Sequence, residues 1–332
     1  VLHLVRANSP YTVIILFILT LGLKLQALGH PVMPVAEHGQ VLFSLLLHFL
    51  HRLWGNNALA YTLFATVCIF GQALYLRFIS IRHRLYLKNS YLPAFLYIVL
   101  SSLHPRLSQL TSTLISNWII IAGIDMMLGF SRREDQPRTI YNAGFLLALA
   151  ALMNFPSLAL FFLLIYSLAV LRVFRPGEWI VGILGYLTPF YFAVCLAYLW
   201  NQMPQLKLWP QFGWNLPVFG KGHIYAPLLI GSAIFLLGVG SRYLSLILPR
   251  LTVSTKRGWG VLAVAGIFTA VVCTLAKSDG PIRWMSTLPV CSLFIVPALM
   301  PEKRSGFATF TFYFLIALVL FCQLALNHNI TS

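Results

Sequence analysis

From Tyr141 to Val170 the chain carries no charged residue, yet Asn154, Pro156 and Ser157 interrupt the stretch near its middle. A single helix over 139–171 would be roughly 50 Å long at about 1.5 Å per residue. The hydrocarbon core of a bilayer is only about 30 Å thick. Proline cannot donate to a helix ladder and disfavours helical geometry at the residue before it, here Phe155. The stretch therefore reads as two antiparallel helices over a minimal turn, with Asn154 and Ser157 placed to satisfy backbone groups there. Both halves are slightly short, which puts the turn below the membrane surface, shielded by protein.

Similar apolar runs recur along the whole chain. Of its 332 residues 59% are hydrophobic and only 9% charged, too little polar surface for a soluble protein of this size. Repeated apolar runs of about 18 residues are membrane-span candidates. The expected fold is all-α, a polytopic transmembrane bundle of about eleven spans. They cover 10–28, 57–80, 90–103, 108–130, 139–155, 156–174, 179–200, 224–247, 260–277, 283–301 and 305–326. No polar stretch is long enough for a soluble domain. The organisation expected is a membrane module over 1–200 and a C-terminal group of about four spans over 201–332.

Charge orients this arrangement. Lys and Arg number 23 against 7 Asp and Glu. With the N-terminus in the cytoplasm, sixteen of these cations fall on inner segments and six on outer ones, as the positive-inside rule requires. Reading 139–171 as one span would put the basic 249–257 loop outside. The expected orientation is a cytoplasmic N-terminus and a C-terminus on the outer side. The net charge of +16 is then topogenic and attracts anionic headgroups, so membrane lipids and not nucleic acid are the expected partners. The five cysteines lie in apolar runs without a C-x-x-C pair and read as small core hydrophobes.

Two outer loops are long. The first, about 29–56, contains "VLFSLLLHFLHRLW", too short to cross and return, and 40–54 are expected to form a helix lying along the outer interface. The second, about 201–223, is rich in Pro, Gly and aromatics and reads as an ordered cap. Carboxylates are scarce, and only Glu37 and Asp279 are expected outside. Asp125 falls within the fourth span near its inner end, where it is expected to snorkel toward Arg132 and Arg133, no second titratable group sharing its depth. His48 and His51, three apart on one helix, share a face. With Glu37 or His38 they could hold a metal, but polar contacts to phosphate headgroups are the stronger reading. No nucleotide-binding, nucleophile-elbow or dithiol motif is present, so nucleotide hydrolysis and soluble-type redox chemistry are unsupported, and the cofactor stays open.

The order of parts resembles the C-type (GT-C) superfamily of membrane glycosyltransferases. The resemblance rests on "PVAEHGQVLFSLLLHFL" after the first span and "NAGFLLALAALMNFPSLALFFLL" in the fifth and sixth, and covers about 10–200. "NSPYTVIILFIL" and "PGEWIVGILGYLTPFYF" are similar to an uncharacterised family of polytopic inner-membrane proteins of Bacteroidota, a resemblance that implies a bacterial inner membrane with a cytoplasmic N-terminus and a periplasmic C-terminus. The superfamily layout implies handling of a polyprenyl-phosphate-linked sugar at the outer face, with an acidic residue of the first outer loop as base. Glu37 is the position that matches. Arg52, Arg106 and Lys207, with His48, His51 and His104, are the candidates for lipid-phosphate contacts. The chain departs from the pattern in having no paired acids outside. The alternative is therefore a non-catalytic membrane subunit or scaffold of an envelope assembly for secretion, gliding or polymer export, whose partners would be other membrane proteins of that complex.

Overall fold

The computed structural model describes residues 5–6, 9–35, 40–131, 136–201, 213, 225–277, 280–300 and 306–330. Among them are thirteen α-helices and five short 3-10 segments, and no strand. The helices are α1 (Tyr11–Leu23), α2 (Leu25–Gly29), α3 (Val41–Trp54), α4 (Ala58–Arg82), α5 (Leu92–Leu100), α6 (Ser112–Leu128) and α7 (Gln136–Met153). They continue with α8 (Leu160–Leu171), α9 (Pro176–Leu199), α10 (Tyr225–Ile247), α11 (Val253–Leu275), α12 (Leu288–Leu299) and α13 (Gly306–Ile330).

Each of the eleven apolar stretches carries a helix, and six stretches are long and apolar enough to cross a membrane. These are Ala58–Arg82, Ser112–Ser131, Pro176–Leu199, Gly231–Arg250, Val253–Leu275 and Gly280–Leu299. The chain is thus a multi-pass membrane protein. Its helices differ in depth within the bundle. The Ser112–Ser131 stretch has 67% of its apolar window buried and forms the centre, whereas Pro176–Leu199 and Gly231–Arg250 have 22% and form the rim.

Local sequence explains the breaks. Proline occupies the first turn of α5, α9 and α12, where its missing N–H is not needed. Thr111 and Thr252 cap α6 and α11 with their hydroxyls. The thirty-residue question resolves as two helices: α7 ends at Met153, a 3-10 turn spans Phe155–Ala159, and α8 begins at Leu160. Pro156 and Ser157 are buried, so the turn is shielded by protein. The expected role of the two polar side chains is corrected. Asn154 makes no side-chain cap bond, and the buried Ser157 Oγ has no partner among the described residues. Backbone bonds from Asn154 N to Ala150 O and from Ser157 N to Asn154 O hold the turn instead.

The stretch 90–103 contains the shortest of the expected spans. Its helix, α5, has nine residues, all of them buried. At about 1.5 Å per residue it covers less than half the hydrocarbon thickness. It packs on α4 and α12. A buried helix this short leaves carbonyls without intrahelical donors, and side chains from distant elements supply them. Lys24 Nζ, 1% exposed, donates to Ser101 O just past α5 at 3.0 Å, and to Ser108 Oγ at 2.8 Å. Gln323 donates to Leu23 O at the end of α1 (2.9 Å), and Arg6 to Leu299 O at the end of α12 (2.9 Å). Deeper in the bundle, Gln72 donates to Leu114 O and accepts from Tyr97, while Asn117 donates to Met285 O.

One end of the bundle collects the ion pairs. Arg82 Nη1 and Asp125 Oδ2 are 2.8 Å apart, and His83 Nε2 and Asp125 Oδ1 are 2.7 Å apart. Tyr75 donates to Oδ2 at 3.1 Å. Asp125 is therefore paired with the far end of α4. Arg132 and Arg133, its expected partners, lie outside the described residues. At the same end Arg172 grips Glu178 with two bonds of 3.0 and 2.6 Å, and Ser254 donates to Ser131. This is the basic end of the molecule.

Glycine brings α7 and α9 together. A Cβ on Gly144 would lie 2.6 Å from Gly182 O, and one on Gly185 would collide with the Tyr141 carbonyl. The backbones touch there, as at small-residue crossings of membrane helices. We expect Gly185→Ala to lower stability by roughly 1–3 kcal/mol through overpacking, whereas Gly22→Ala, with nothing within 4 Å, leaves it unchanged or slightly raised. Thermal midpoints of the two purified variants in the same detergent check this.

Candidate functional site

The end opposite the ion pairs holds an open cleft of about 260 Å³. It is lined by Ser44, His48 and His51 of α3, by Tyr61 of α4, and by Met33 and Pro34 of the segment before α3. The expected 40–54 helix is thus present as Val41–Trp54.

With successive side chains about 100° apart, α3 divides into three sectors. Phe43 and Leu50 are buried, and the half-buried Trp54 stacks edge-on against Tyr61 at 5.5 Å. Leu45, Phe49 and Leu53, spaced by four, are 50%, 60% and 60% exposed. Ser44, His48, His51 and Arg52 form the third sector. A helix with one face on protein, one apolar face uncovered and one polar face fits the boundary between hydrocarbon and water. Its C-terminal end is fixed. Gly55 takes φ +56°, a left-handed conformation that suits glycine, and donates to His51 O at 2.8 Å. Tyr61 OH then donates to Gly55 O at 3.2 Å, which sets the cleft wall against α4.

A second polar group lies in the turn between α5 and α6. His104 Nδ1 accepts from Arg106 N at 3.1 Å and so starts the 3-10 segment Pro105–Ser108. Burial first, and then the Arg106 guanidinium, push the His104 imidazole down to about 4. His104 is accordingly neutral at pH 7, an acceptor at Nδ1 with its Nε2–H left to donate. Arg106 is exposed, and Gly280, with φ +77°, comes close to its guanidinium. Of the second long loop only Asn201 and Gly213 are among the described residues, and Gly213 N donates to Leu275 O at 3.0 Å.

The expected site residues therefore separate. His48 and His51 share the cleft, Arg52 follows on the same helix, and His104 and Arg106 occupy a different turn. Glu37 and Lys207 lie outside the described residues. Tyr61 and the Met33–Pro34 wall were not singled out by sequence, because nothing local marks a residue that another element will face. Arg82 and His83 did carry a signal: they end the second span at the same side at which Asp125 nears the end of the fourth.

Compared with protein families, curated proteins and solved structures, the chain finds no match. What stands is an all-helical, multi-pass membrane protein with a cleft beside an amphipathic helix.

The His104 shift has a definite pH consequence. Its folded pKa lies below the unfolded value of about 6.5, so the unfolded chain takes up the proton first. Stability contributed by the neutral ring is complete above about 6.5 and is lost progressively as pH falls toward about 4. His104→Asn keeps a capping acceptor and removes the titration. The variant should lose less thermal stability than the parent between pH 7 and pH 5; equal losses would contradict this.

Proposed function

We propose that the chain handles a polyprenyl-phosphate-linked sugar at the α3 cleft, as a GT-C-like protein of the bacterial inner membrane with the cleft outside. The observation that supports this reading is the three-sector character of α3 beside that cleft. A lipid whose chain runs along Leu45, Phe49 and Leu53 would present its phosphate to His48, His51 and Arg52. Arg106, His104 and Lys207 would serve the same headgroup region from the neighbouring loops. In this reading 1–200 form the GT-C-like module, 201–332 the C-terminal group, and the chain crosses eleven times.

If the protein is a transferase, Glu37 is its base. The Glu37 carboxylate takes the proton of an acceptor hydroxyl, the hydroxyl oxygen bonds to the anomeric carbon, and the bond from that carbon to the phosphate oxygen breaks. The polyprenyl phosphate leaves with the electron pair, its charge met by Arg52. Glu37 follows Pro34 by three residues, and Pro34 lines the cleft.

A second reading is a non-catalytic subunit of an envelope assembly for secretion, gliding or polymer export. One observation favours it: the two carboxylates among the described residues, Asp125 and Glu178, are both consumed by arginine pairs at the end away from the cleft. Glu37→Gln separates the readings. Loss of a positioned base lowers transfer about a hundred- to ten-thousand-fold at unchanged protein level, so the variant should fail to restore a deletion strain. Full restoration would end the transferase reading. Pro156→Leu, which favours helix continuation through the turn, should instead lower abundance or detach partners under either reading.

Orientation is tested apart from chemistry. A single cysteine at the exposed position Lys256 should react with a membrane-impermeant maleimide only after the inner membrane is opened. Reaction in intact cells with permeable outer membranes would reverse the topology.

A further inference from the structure

Two helices that are long and apolar enough to cross meet at the basic end through the short connection Leu248–Thr252. Arg242, Arg250, Lys256 and Arg257 all project from this α10–α11 hairpin into exposed positions. None of the four has an ion-pair partner among the described residues. The two carboxylates among the described residues, Asp125 and Glu178, are 2% and 8% exposed and already held by Arg82, His83 and Arg172. The hairpin is thus a concentrated positive surface, and the described residues offer it no internal counter-charge.

The same edge is apolar between its cations. Leu246 is 65% exposed and Val253 66% exposed. The Gly231–Arg250 stretch is the less buried partner, with 22% of its apolar window covered, so its flank faces hydrocarbon. Arg242 lies eight residues before Arg250, about 12 Å along a helix at 1.5 Å per residue. At such a position an arginine lays its stem along apolar surface and turns its guanidinium toward the headgroups.

We infer that the α10–α11 hairpin is a binding surface for an anionic phospholipid of the leaflet at the basic end, with Arg250, Lys256 and Arg257 on phosphate and Leu246 and Val253 against acyl chain. Cations with no ion-pair partner among the described residues, alternating with uncovered apolar side chains, fit a headgroup joined to a chain. An acidic soluble protein would match the charge but leave Leu246 and Val253 without a complement. Guanidinium and ammonium groups bind phosphate oxygens by charge-assisted bonds, and each cation near an anionic surface strengthens association about fivefold. The inference is independent of the reading of the cleft, and of which side of the membrane the basic end faces.

The test uses the full chain purified in mild detergent and exposed to either cardiolipin or phosphatidylcholine, with bound lipids counted by native mass spectrometry. Wild type should retain cardiolipin preferentially. The combined variant Arg250→Gln, Lys256→Gln and Arg257→Gln should lose that retention roughly tenfold or more. Arg138→Gln, an exposed cation of the same end on α7, should keep it. Equal thermal midpoints in phosphatidylcholine show that the triple variant is folded, since these side chains contribute little to packing. Unchanged retention in the folded triple variant would overturn the proposal. So would equal retention of both lipids by wild type, which would leave the surface to an acidic protein. Should the triple variant misfold, Lys256→Gln and Arg257→Gln measured singly must each lower retention several-fold, and neither doing so also overturns it.

Discussion

Inside a bilayer a backbone carbonyl has no water to turn to, and every one must find a donor within the protein. This chain uses several helices shorter than the hydrocarbon slab, so it exposes more helix ends to that requirement than a bundle of full-length spans would. Its answer is long-range. Lys24 reaches Ser101 O, Arg6 reaches Leu299 O and Gln323 reaches Leu23 O, each across a large separation in sequence. Trp259 donates to Leu85 O and Tyr86 to Leu293 O in the same way. These bonds fix which helix ends meet, and so set the frame on which the cleft and the basic end are built.

Charge is arranged around that frame with little redundancy. The buried carboxylates are used up in holding α4 to α6 and in closing the turn between α8 and α9. Buried pairs of this kind add little net stability, though breaking one leaves a costly orphan. Lys24 and Arg283 are buried, while other cations lie exposed at both ends, as the hairpin of α10 and α11 and the turn at Arg106 show. The cleft end and the basic end therefore differ in kind: one pairs polar side chains with a hollow, the other presents exposed charge along a hairpin.

Much of this was legible in the sequence. Apolar run length located a helix in every expected stretch, and Pro156 located the turn between α7 and α8. The helix of the first long loop began and ended within a residue of its expected bounds. What escaped was partnership. Asp125 looked solitary because depth within a span is visible in sequence only approximately, and Arg82 and His83 sit just beyond the apolar run. Ser157 has the composition of a turn former, yet its hydroxyl is unused because backbone bonds already close the turn. Tyr61 became a cleft wall through Gly55, a backbone conformation that composition does not announce.

The turn at Phe155–Ala159 bears on how the protein is made. Phe155–Leu171 is one of the shorter apolar helical stretches, so this half of the hairpin is poorly suited to enter a membrane alone. The two halves must partition together during synthesis, as one unit drawn in by its summed hydrophobicity. At that moment the turn, with Ser157 at its centre, has no cover. In the finished fold α11 packs over it, and Phe268 of that helix stacks on Phe162 at 6.2 Å. Because α11 emerges from the ribosome some hundred residues later, the hairpin waits in the membrane with a polar tip exposed, and its burial is a late event in assembly.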